Sequence, residues 1–123
     1  MRFDGVKSMT PMSDTIPTRM RALKVAALSE DFSGCRLEDV PVPVPGDGEV
    51  LVRVRAAAFG FPDLLMTRGL YQRKPPLPFV PGGDMAGEVV ACGAGVAEFA
   101  IGDAVVSMHQ IGAFGSIRDC GTD

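Results

Sequence analysis

Few residues in this chain could do chemistry, and they are scattered. His109 is the single histidine, and Cys35, Cys92 and Cys120 lie far apart with no C-x-x-C pair. A catalytic zinc takes three protein ligands from Cys, His and carboxylates. Cys92 and His109 with Asp63 or Asp84 would make such a set, but no spacing groups them, and ordinary packing or surface roles are the simpler reading. His109 can also serve as a hydrogen-bonding group beside a pocket. Gly93-Ala94-Gly95-Val96-Ala97-Glu98 starts like the dinucleotide fingerprint G-x-G-x-x-G, with Glu98 where the third glycine belongs. That fingerprint needs a helix next, and Gly102-Asp103 interrupts too soon, so a strand-to-strand turn fits better. Tyr71 is the only tyrosine. A phenol on a loop can donate to a developing oxyanion without bringing net charge. A half-buried aromatic at a domain edge explains it equally well. Lys74-Pro75-Pro76-Leu77-Pro78 has the form of a polyproline ligand, though a stiff internal linker accounts for it.

The elements that must position these residues are short strands. In Glu49–Ala56, Val50, Val52, Val54 and Ala56 share one face while Arg53 and Arg55 share the other, the period of a half-buried strand. Pro45-Gly46-Asp47-Gly48 precedes it as a turn. Pro62–Arg68 reads as a short helix with proline in its first turn and Gly69 as its stop. Residues 74–83 hold four prolines and form an extended connection. Gly87–Cys92 and Asp103–Met108 are two further strands, and Met20–Leu28 is the first patterned stretch. Short strands at close spacing predict a small barrel or sandwich. Residues 1–19 read as a disordered extension. Gly112–Asp123 offers no apolar alternation to close a sheet.

Composition narrows the classes. The chain has 123 residues, 46% of them apolar, enough for one compact domain. Lys+Arg 12 against Asp+Glu 15 leaves a net charge of −3, which argues against a broad grip on nucleic acid. No run approaches the roughly 20 apolar residues of a membrane span, and no secretory signal opens the chain. An odd number of dispersed cysteines argues against a disulfide scaffold. The expectation is a soluble, cytoplasmic, single globular unit.

Read together, three segments resemble the N-terminal GroES-like half of medium-chain dehydrogenases/reductases. Pro41–Val54 is similar to the family's opening strand pair, and Pro81-Gly82-Gly83-Asp84-Met85-Ala86-Gly87-Glu88-Val89 to its second signature. Gly93-Ala94-Gly95-Val96, then Phe99 and Gly102-Asp103-Ala104-Val105, match the third. The resemblance runs from Met20 to about Gln110. It implies a mainly β fold: a partly open GroES-like barrel with short helices, incomplete at its C-terminal end. Residues 20–114 would be the substrate-side domain and 115–123 a divergent tail, with the Rossmann domain absent.

Zinc members of that family carry a Cys shortly before an Asp, and a His-Glu pair after Pro-Gly. Gly60 stands at the first position, ahead of Asp63, and Gly83-Asp84 at the second. The chain therefore resembles the zinc-free branch of NADPH:quinone oxidoreductases and enoyl or alkenal reductases, most closely through Phe61–Gln72. The resemblance implies hydride transfer from NADP(H) to a quinone, enone or enal, with no zinc and no nucleic-acid or membrane partner. It further implies homodimeric full-length relatives, and little activity for this piece alone. Without zinc, a hydrogen-bond donor takes the Lewis-acid role, and Tyr71 stands where reductase relatives place a catalytic tyrosine. Gly60, Phe61 and Asp63 are the expected substrate- or cofactor-binding residues. Gly60 departs from the Asn common in zinc-free relatives, while Phe61 offers an apolar wall or ordinary core packing. The competing readings are a non-enzymatic GroES-like binding or assembly module and a fragment of a zinc alcohol dehydrogenase.

Overall fold

The computed structural model describes residues 2–7, 16–108 and 111–121, with backbone alone for 2–7 and 118–121. In chain order the elements are β1 (Arg2–Lys7), β2 (Arg19–Val25), β3 (Cys35–Pro41), β4 (Glu49–Ala58), α1 (Phe61–Arg68), β5 (Asp84–Cys92), β6 (Asp103–Met108) and β7 (Ile117–Gly121). Two sheets result, one of five strands in the order β1-β6-β5-β4-β7 and one of two, β2-β3. The fold is mainly β, as expected. The sheets do not join into a closed barrel.

Strand β4 is the axis of the larger sheet, antiparallel to both β5 and β7. Its expected inward residues Val50 and Val52 pack with Met85, Val89, Val105 and Ala113 on one face. Leu51, pointing the other way, is buried as well, in a second cluster with Val90 and Ile117 flanked by Met20 and Val42. Simple alternation misses this because the β2-β3 hairpin covers the second face. Gly87 in β5 lies so near the Arg53 carbonyl that no side chain fits there.

Three segments differ from the sequence expectations. Cys35–Pro41, between stretches read as patterned, is a full strand paired with β2 from Arg19↔Pro41 to Val25↔Cys35. Arg2–Lys7, inside the stretch read as a disordered extension, is extended against β6 with an irregular register. The free edge of β6 supplies backbone partners that need no side-chain pattern. For the same reason Ile117–Gly121 pairs with β4 from Glu49↔Gly121 to Arg53↔Ile117 despite its lack of apolar alternation.

Candidate functional site

Helix α1 is built by its ends. Pro62 stands at its start, Asp63 in its first turn and Arg68 in its last, the arrangement that suits the helix dipole. At its C-terminal end Gly69 is left-handed, with φ 72° and ψ 20°. There the Gly69 N–H donates to the Met66 carbonyl at 3.2 Å and the Leu70 N–H to that of Leu65 at 2.9 Å. Those bonds close the last turn and release the chain toward Tyr71.

At the other end the organising residue is Asp63, only 4% exposed. The Gly60 N–H donates to Asp63 Oδ2 at 2.8 Å, and the Gly82 N–H donates to Oδ1 at 3.2 Å. One carboxylate thus ties the start of α1 to the loop that leads into β5. Charge-assisted bonds of this kind are about twice as strong as neutral ones. Both Asp63 oxygens are engaged by backbone, and the Gly60 carbonyl accepts from the Asp63 N–H at 3.1 Å. Asp63 thus positions the backbone around it. Gly60 contributes backbone only.

Phe61 is 68% exposed, so core packing does not account for it. It shares its end of the sheet with two residues the sequence reading overlooked. Phe59 is exposed on one side and stacks on Phe114 with centroids 6.0 Å apart and planes 8° from parallel. Met108 is exposed at the end of β6, beside Asp84, which in turn pairs with Ala58. The sequence Phe59-Gly60-Phe61, two aromatics astride a glycine at a strand end, was the available signal.

Tyr71 lies beyond the opposite end of α1, a helix of eight residues and thus about 12 Å long. It is half-buried against Val25, Met66 and Phe79, with Cys35 and Ile111 in the same cluster. The structure therefore joins Gly60, Asp63 and Phe61 into one neighbourhood and sets Tyr71 in another. A cleft of about 320 Å³ between Met20, Lys24, Val40, Phe79 and Ile117 touches the Tyr71 cluster only through Phe79.

The other chemistry-bearing residues fall outside this arrangement. Among the described residues no three of His, Cys, Asp and Glu come together. His109 lies outside them, Cys92 is exposed and Cys35 half-buried. Burial pushes the Cys35 thiol above its ordinary range. No helix follows Gly93–Glu98. The Gly93 N–H donates to the Glu49 carbonyl at 2.7 Å, so it is not free for phosphate. Glu88, 7% exposed, accepts from Arg55 Nη2 at 3.1 Å and Nε at 3.2 Å on a single oxygen. This pair went unnoticed in the sequence because it joins one strand's polar face to a residue inside another's apolar run. Among the described residues no helix is long and apolar enough to cross a membrane.

Comparison with known proteins gives this geometry a family. The chain is 40% identical over 110 residues to a probable quinone oxidoreductase of Leishmania amazonensis, covering 84% of this chain and 31% of that protein. It is 45% identical over 58 residues to the human synaptic vesicle membrane protein VAT-1 homolog, covering 47% of this chain and 15% of that one. A mycobacterial protein solved in complex with NADPH superposes with a TM-score of 0.76 at 34% identity, over 84% of this chain and 32% of that chain. The chain thus spans a third or less of each of these three relatives. Residues 46–123, from the turn before β4 onward, match the alcohol dehydrogenase GroES-like domain, and the chain belongs to that family.

Proposed function

We propose that this chain is the substrate-side domain of a zinc-independent oxidoreductase that passes a hydride from NADPH to a quinone or an activated alkene. The observation that carries the reading is the Asp63 anchor. It holds Gly60 and Gly82 on one carboxylate. The two segments that bear metal ligands in zinc members, as the resemblance implies, are thereby adjacent here, with Gly60 on one and Gly83 on the other. Glycine has no side chain to coordinate a metal. The similarity to proteins named for quinone reduction supports the choice of acceptor.

Bound NADPH would supply the hydride. No helix follows Gly93–Glu98 and the Gly93 N–H is already bonded, so the nucleotide would be held by a further domain. Phe61 is the exposed apolar wall against which a flat acceptor ring would rest. The Tyr71 hydroxyl is the proposed donor to the acceptor's carbonyl oxygen as negative charge grows there. Because α1, about 12 Å long, separates the two residues, Tyr71 takes this role only with an acceptor whose apolar body and carbonyl oxygen lie that far apart.

The test joins this chain to the part of its Leishmania relative that follows the matched region and measures NADPH-dependent quinone reduction. The expected result is turnover by the joined protein, unchanged by a chelator, and none by the 123-residue chain. Loss of turnover on chelation returns the zinc alcohol dehydrogenase reading. A stably folded joined protein that reduces nothing favours a non-enzymatic binding module.

A further inference from the structure

The smaller sheet has an open edge whose backbone phase can be read from its partner. On β2, the Val25 N–H donates to the Phe79 carbonyl at 2.8 Å and the Val25 carbonyl accepts from the Phe79 N–H at 3.2 Å. The Leu23 N–H donates to the Phe114 carbonyl at 2.9 Å, and the Arg21 carbonyl accepts from the Ser116 N–H at 3.1 Å. Odd-numbered β2 residues thus turn their polar groups away from β3. Met20, Ala22 and Lys24 must face it, opposite Val40, Glu38 and Arg36. An antiparallel ladder alternates bonded and non-bonded pairs. The backbone of Cys35, Leu37 and Asp39 therefore points outward, at an edge that pairs with no other strand among the described residues.

Some of these groups are already used. The Cys35 N–H donates to the Phe32 carbonyl at 2.9 Å, and the Asp39 carbonyl accepts from Arg19 Nη2 at 2.8 Å. Among the described residues, what stays open is the Leu37 N–H and C=O, the Asp39 N–H and the Cys35 C=O. These four groups are self-complementary about a two-fold axis through Leu37. With Leu37 facing Leu37 of a second copy, each Leu37 N–H meets a Leu37 carbonyl and each Asp39 N–H meets a Cys35 carbonyl. The same register sets Arg36 opposite Glu38 twice, opposite charges across a non-bonded pair where side chains lie closest. It also covers Leu37, which is 66% exposed.

We infer that β3 is a self-recognition edge, pairing with β3 of a second copy of this chain to make a continuous four-stranded sheet, β2-β3-β3-β2. A closed two-fold contact of this kind is isologous. Seven edge residues supply fewer bonds than a permanent interface carries, so the association is weak and concentration-dependent.

Sedimentation of the full chain tests it. The weight-average mass should rise from 12.9 kDa toward twice that value between micromolar and millimolar protein. Arg36→Glu and Glu38→Arg each place like charges opposite one another and should each stay monomeric. Mixed in equal amounts, the two restore both charge pairs and should associate at least as well as the parent. A cysteine at the axis gives a second readout independent of affinity. Leu37→Cys, with Cys35, Cys92 and Cys120 changed to Ser, should form a 37–37 disulfide under mild oxidation, while Val40→Cys in the same background should not. Monomeric parent at millimolar concentration, a mixture that stays monomeric, or equal cross-linking at both positions would overturn the proposal.

Discussion

The two ends of α1 are held by different physics. At the start, a buried carboxylate fixes two backbone N–H groups, and hydrogen-bond direction sets the geometry. Past the end, Tyr71 is kept in place by contact with Val25, Met66 and Phe79, which have no directional demand. The first end is precise, since each Asp63 oxygen accepts from a backbone N–H. The second end is held without such direction.

Truncation at the apolar end should show the largest loss. Phe79→Ala should cost about 3–5 kcal/mol, the usual range for emptying a buried aromatic site. Denaturant titration measures it, and because the chain has one Tyr and no Trp, tyrosine fluorescence reports on that cluster directly. Tyr71→Phe should leave stability within about 0.5 kcal/mol. In the joined oxidoreductase it should lower kcat by about 10²–10³, the loss seen when one oxyanion donor is removed. Equal activity would reduce Tyr71 to a packing residue.

Asp63→Ala should cost about 2–3 kcal/mol, because the buried Gly82 N–H loses its acceptor. Asp63→Asn, which retains one acceptor oxygen, should lose less, and thermal melting ranks the two. The smallest effect concerns the thiols. In a Cys120→Ser background, iodoacetamide at pH 8 should label exposed Cys92 well before Cys35, read by peptide mass spectrometry. Burial holds Cys35 in its neutral form. Its folded thiol therefore keeps a proton the unfolded chain gives up, and stability falls as pH rises past the ordinary thiol range.

The sequence was legible where side-chain pattern and backbone demand coincide. Pro62, Asp63 and Gly69 delimit α1 because each has a terminus-specific role, and Asp103–Met108 was bounded by glycines. It was illegible where pairing rests on backbone alone, as in β7, or where polar residues mask a strand, as with Arg36, Glu38 and Asp39 in β3. At the site, Asp63 was picked out by type, but its two partners are glycine amides, one of them 19 positions away. No local pattern can announce that. Phe59 stayed hidden because an aromatic at the end of an apolar strand looks like more core.

The bond from Asp63 to Gly82 also limits how this domain can move. It couples the entry of α1 to the loop before β5, so parting the two segments leaves a buried N–H without its acceptor. Separating them therefore costs more than moving them together, and the prolines at 75, 76, 78 and 81 leave the intervening chain few ways to absorb a difference.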